Sequence, residues 1–137
     1  MATIRHEIHI AVPVADVWDA ARDVSALHPR LVPGFVTATE MLPDAAVPTR
    51  RVTFASGAVL DEKIIAVDDD LRRLVWSIQG VEHHNGALDI VAADDGTRVT
   101  WTADVLPAEL ATRFSPLMAE ALGIMKAALE AASSTRE

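Results

Sequence analysis

From Gly34 to Leu106 the sequence is interrupted about every ten residues by turn-forming residues, with apolar and polar side chains alternating between them. Over 107–133 the period changes to that of one long helix. Alternation with period two belongs to half-buried strands and the 3.6 period to helices. Strands are expected at 3–10, 35–42, 48–55, 58–67, 71–79, 84–92 and 97–106, with the longest helix ending near 132. The links SG, DDD, GVE and ADDG are short enough for antiparallel hairpins. Pro13 opens a helix in which Val14, Val17, Trp18 and Ala21 share a face, and Ser25-Ala-Leu-His-Pro reads as a second short helix or turn, broken at Pro29 and Pro33. The resulting order is β-α-α-β6-α, an α+β fold. In it, a curved antiparallel sheet of about seven strands wraps on a long C-terminal helix and leaves room for a cavity between them.

That helix carries its apolar face on Leu117, Met118, Ala121, Leu122, Met125 and Leu129. Pro107 suits its first turn. Ser115-Pro116 predicts a kink, or a restart with Ser115 as N-cap.

A chain of 137 residues suits a single domain, 1–137, with a substantial core. The net charge of −8 argues against nucleic acid or anionic lipid, both of which are bound through clustered cations. No 18-residue stretch is free of charge, so no membrane span is expected, and MATIRHEIHI lacks the apolar core of a signal peptide. With no cysteine there is no disulfide framework, and a cytoplasmic location is expected. Ten arginines to two lysines suggest a bacterial gene rich in G and C.

Strand alternation assigns the inward side chains. Val52 and Phe54 carry Arg50 inward. Leu60, Ile64 and Ala66 carry Glu62, and Leu74 and Ile78 carry Trp76. Leu88 and Ile90 bring His84 and Gly86 inside and leave His83 outside, unless a bulge at Asn85-Gly86 reverses the faces. Val99, Ala103 and Val105 bring in Trp101. An inward Arg or Glu is costly unless paired, so Arg50 and Glu62 on neighbouring strands have a structural reading as a mutually neutralising pair. His84 could equally bond a backbone group at the rim, and the tryptophans could be core. Nucleotide-loop and nucleophile-elbow motifs are missing from the sequence, and the adjacent histidines diverge on a strand. No metal and no cofactor are expected.

Three stretches, IHIAVPVADVWDAARDVSAL, GAVLDEKIIAVDDDLRRLVWSI and DGTRVTWTADVLP, carry a resemblance. With Pro13, Val17 and Trp18 in the first helix, Gly57, Glu62 and Asp68 in the middle, and Asp95-Gly96-Thr97-x-Val99-x-Trp101 at the end, the chain resembles the START/polyketide-cyclase superfamily of helix-grip proteins. The resemblance covers nearly the whole chain. It implies a hydrophobic pocket, and functions in that family range from lipid carriage to aromatase and cyclase chemistry. The sequence has no tyrosine, a residue several cyclases of the family use, and has His28 where tryptophan is frequent.

The expected function is binding of a small hydrophobic or aromatic molecule in a cavity lined by Phe54, Trp76, Trp101, Met118, Leu122 and Met125. The alternative is a polyketide cyclase, aromatase or dehydratase. There Glu62 or His84 would move a proton alpha to a carbonyl and Arg50 would hold the enolate oxygen. The chain is expected to act as a monomer or homodimer.

Overall fold

The computed structural model describes residues 2–136, so Met1 and Glu137 of the expected 1–137 domain lie outside the described residues. Seven strands run β1 Ala2–Ile10, β2 Val36–Met41, β3 Thr49–Phe54, β4 Val59–Asp68, β5 Arg73–Ile78, β6 His83–Ala93 and β7 Gly96–Leu106. Helix α1 spans Val14–Arg22 and α2 spans Leu110–Arg136. A 3₁₀ turn, Val24–Ala26, and a π-helical turn, Leu27–Leu31, follow α1. Pro29 therefore lies inside the second turn instead of ending it.

The strands form one antiparallel sheet in the order β1-β7-β6-β5-β4-β3-β2. Each strand from β2 to β7 pairs with its chain neighbour, as short hairpin links dictate, and β1 closes on β7. Helix α2 packs chiefly on β1 and touches β7, while α1 sits over β6 and β7. The helix-grip architecture expected from the sequence is thus present.

Alternation holds along most strands, so the concave face carries the apolar set. Val52, Leu74, Leu88, Ile90, Val99, Ala103 and Val105 are all buried there. The pairing of β6 with β7 is unbroken from His83–Leu106 to Ala93–Gly96, so no bulge occurs at Asn85-Gly86. Strand β4 departs from the rule. Its register shifts between Ile64 and Ala66, Ile65 points to solvent, and Ala66 is half-buried where full inward placement was expected.

Helix α2 corrects two expectations. It starts at Leu110, beyond Pro107, and it runs through Pro116 without a restart. Proline there forfeits one backbone hydrogen bond. Packing on both sides of it holds the helix together: Leu110, Ala111 and Phe114 rest on the Ile4–Ala103–Val105–Met118 cluster. Leu122, Met125 and Leu129 join the main core. Ser115 does not cap, since its hydroxyl is bonded to His6 Nε2 at 2.9 Å. Leu117 also departs from its expected place: it is 48% exposed and leaves the apolar face to Met118, Ala121, Leu122, Met125 and Leu129.

Candidate functional site

A transverse row of concave-face side chains crosses five strands: Arg50 on β3, Glu62 on β4, Ile78 on β5, His84 on β6 and Val105 on β7. Register pairs Arg50 with Glu62, Glu62 with Ile78, and His84 with Val105. The next row holds Ile64, Trp76, Gly86 and Ala103. Trp101 stands one row further, opposite Leu88 and His6.

Arg50 and Glu62 are 2% and 5% exposed. The Arg50 Nε donates to Glu62 Oε1 at 2.9 Å, and Nη1 donates to the Val24 carbonyl at 3.1 Å. Its guanidinium carbon lies 6.0 Å from the Trp76 ring centroid. The pair is therefore formed, and it also ties the 3₁₀ turn to the sheet. A buried pair of this kind contributes little net stability, while an orphaned member is costly.

His84 is buried, and His83 is exposed with its Nε2 bonded to Asn85 Oδ1. The Ile78 backbone N–H donates to His84 Nδ1 at 3.0 Å, and Ser77 Oγ donates to the His84 carbonyl. Burial pushes the imidazole pKa down to about 4, helped by the neighbouring His83. Glu62 is one strand away from His84 across Ile78, so the sheet does not bring the two together.

Rings line the wall beside this row. Trp76 and Trp101 have centroids 5.6 Å apart, and His84 meets the edge of Phe114 at 6.1 Å. Phe114 was missed as a site residue. It lies four residues before Met118, on the same helical face, but the Pro116 signal hid that continuity. Among the described residues, the buried Nε1 of Trp101 has no hydrogen-bond partner. Nearly all buried polar groups in native proteins are bonded, and an unsatisfied one costs about 1–3 kcal/mol.

Phe54 and Trp101 are half-buried, as are Leu60 and Ile78, whereas Trp76, Met118, Leu122 and Met125 are packed as core. Two surface pockets are present elsewhere, and neither is lined by Phe54, Trp76, Trp101, Met118, Leu122 or Met125, where the cavity was expected. One of those, about 260 Å³, lies between α1, the π-helical turn and the end of α2, beside Val12, Ala20, Pro29 and Leu129. The other, also about 260 Å³, lies against β1, β7 and the end of β6, beside Glu7, His9, Ala93 and Arg98. Leu122 and Met125 share a core cluster with Trp76, so the helix side chains reach onto the wall they were expected to face across a gap.

Among the described residues no cluster of three metal-ligating side chains occurs, and no helix is long and apolar enough to cross a membrane.

A seven-stranded antiparallel sheet gripping a long C-terminal helix, with polar groups set into an apolar concave wall, defines the helix-grip class. The chain belongs to the family "Polyketide cyclase / dehydrase and lipid transport", whose model matches residues 1–131. This places it in the superfamily that the sequence resembles. Among solved structures it is similar to the protein XoxI from Bacillus cereus, with a TM-score of 0.79 and 17% identity over 94% of this chain and 96% of that one. A protein from Thermobifida fusca matches with a TM-score of 0.70 and 28% identity, over 96% and 91% of the two chains. Norcoclaurine synthase from Thalictrum flavum, solved with dopamine and hydroxybenzaldehyde, matches with a TM-score of 0.69 and 22% identity, over 99% and 88%. No matching relative was found among curated proteins.

Proposed function

We propose that the protein binds a small apolar or aromatic molecule on the concave face, between the Trp76–Trp101 wall and α2. The observation that carries this reading is the buried, unpartnered Nε1 of Trp101. An N–H left without an acceptor inside an apolar wall is explained by a ligand that supplies one. Room comes from rotamer changes of Met118 and Met125, whose unbranched side chains adapt to irregular spaces. The family description, which includes lipid transport, supports the same reading.

Acid–base turnover of a polyketide-like substrate, with Glu62, His84 and Arg50 as its groups, is the second reading, and the cyclase and dehydrase members named in the family description favour it. It ranks lower on chemistry. An imidazole with a pKa about 4 is a weak base at neutral pH, and Glu62 is engaged by Arg50.

Native mass spectrometry of gently purified protein tests the binding reading. A retained small-molecule mass is the expected result. A bare protein mass that stays bare after incubation with aromatic ketones would overturn it. Glu62→Gln and His84→Ala separate the two readings, since both abolish turnover in an enzyme and leave much of the binding in a carrier.

A further inference from the structure

The hydrogen-bonding state of the concave wall specifies the kind of molecule it accepts. A backbone amide can only donate, so the Ile78 N–H held at 3.0 Å from His84 Nδ1 leaves that nitrogen without a proton. The proton of the neutral ring is then on Nε2, which makes that atom a donor. Trp101 Nε1 is a donor only. Arg50, the cation of this face, spends Nε on Glu62 and Nη1 on the Val24 carbonyl, and its charge is matched by the carboxylate. His6, the other imidazole on this face, is bonded to Ser115. These groups present neutral N–H donors beside aromatic surface, with no unmatched positive charge among them. The depressed pKa of His84 keeps the ring uncharged at neutral pH.

We infer that the bound molecule is neutral and carries a hydrogen-bond acceptor, such as a ketone, ester or quinone carbonyl on an apolar or aromatic frame, and is not a free carboxylic acid. This rests on the binding reading above. A carboxylate entering this wall would lose its hydration and meet no free cation, which is strongly unfavourable. A carbonyl accepts from Trp101 Nε1 and removes the cost of the orphaned donor. A hydrocarbon of the same shape fills the space and leaves the donor unmet.

Three probes of nearly one shape test the inference by calorimetry at pH 7.5: 2-acetylnaphthalene, 2-isopropenylnaphthalene and 2-naphthoate. The ketone should bind about five- to tenfold tighter than the alkene, the range one neutral hydrogen bond supplies, and 2-naphthoate should bind weakest. Trp101→Phe should erase the gap between ketone and alkene while keeping the affinity for the alkene, which reports an intact wall. Equal binding of ketone and alkene to the unaltered protein, or tightest binding of 2-naphthoate, would overturn the inference and leave the binding reading standing. A Trp101→Phe protein that keeps the full ketone preference would also overturn it. Failure of all three probes to bind would remove the binding reading and the inference together.

Discussion

Trp76 lies across the position of Gly86 on the neighbouring strand: a Cβ on Gly86 would stand 3.0 Å from Cζ2 of the indole and 3.2 Å from Cε1 of His84. The missing side chain is what lets the indole and the imidazole pack side by side on the concave wall. Trp76 is 5% exposed and packed in the main core, so it has little freedom to retreat. Gly86→Ala should therefore destabilise the fold by about 1–3 kcal/mol, the usual cost of overpacking. Urea unfolding followed by tryptophan fluorescence measures it. A midpoint equal to that of the parent protein would show that the indole moves aside freely.

The Arg50–Glu62 pair should behave as a unit. Glu62→Leu alone leaves a buried guanidinium without its carboxylate, and should cost about 3–5 kcal/mol. Arg50→Met combined with Glu62→Leu removes both charges and should cost far less than the two single changes added together. A double-mutant cycle by denaturant unfolding checks this. Additive losses would mean that the two side chains do not support each other.

His84 gives stability a pH dependence of known sign. Its folded pKa of about 4 is below the value of 6.5 for a free imidazole. Between those values the unfolded chain holds a proton that the folded chain rejects, so stability falls as pH drops from 6.5 towards 4. The contribution is complete above 6.5 and amounts to about 3 kcal/mol at most. Asp61, Asp69, Asp104 and Glu130, each held low by hydrogen-bond partners, act in the same direction but at more acid pH. Unfolding free energies measured from pH 7 to 4.5 should slope downward, and His84→Gln should flatten the slope. A slope unaffected by that substitution would assign it elsewhere.

Most of the sheet was legible in the sequence because alternation and burial are one physical fact. Val52, Leu74, Val99 and Val105 chose the face, and Arg50, Glu62 and His84 followed them inward. Legibility ended where local rules met tertiary packing. Pro116 reads as a helix break, yet contacts of Phe114 and Met118 with β1 and β7 carry α2 through it. The shift after Ile64 puts an extra residue into β4, and nothing in IIAVD announces a bulge. The depth of the wall was hidden for a related reason. Alternation says which way Trp76 and Trp101 point, but the distance to α2 depends on how far the sheet curls, and Leu122 and Met125 pack into the same core as Trp76. The orphaned Trp101 Nε1 and the Ile78–His84 bond are three-dimensional facts with no sequence signature.

The chain contains three tryptophans, and they provide the most direct test of binding at the concave wall. Trp76 and Trp101 stand on that wall, whereas the Trp18 indole N–H donates to Asp69 at 2.9 Å, at the junction of α1 with the β4–β5 turn. In a ¹⁵N–¹H correlation spectrum, titration with 2-acetylnaphthalene should move the Trp101 indole signal downfield as its N–H gains an acceptor. The Trp76 signal should shift with it, and Trp18 should stay in place. Movement of Trp18 alone, or no movement of any indole at saturating ketone, would contradict the proposal that this wall is where the protein holds its ligand.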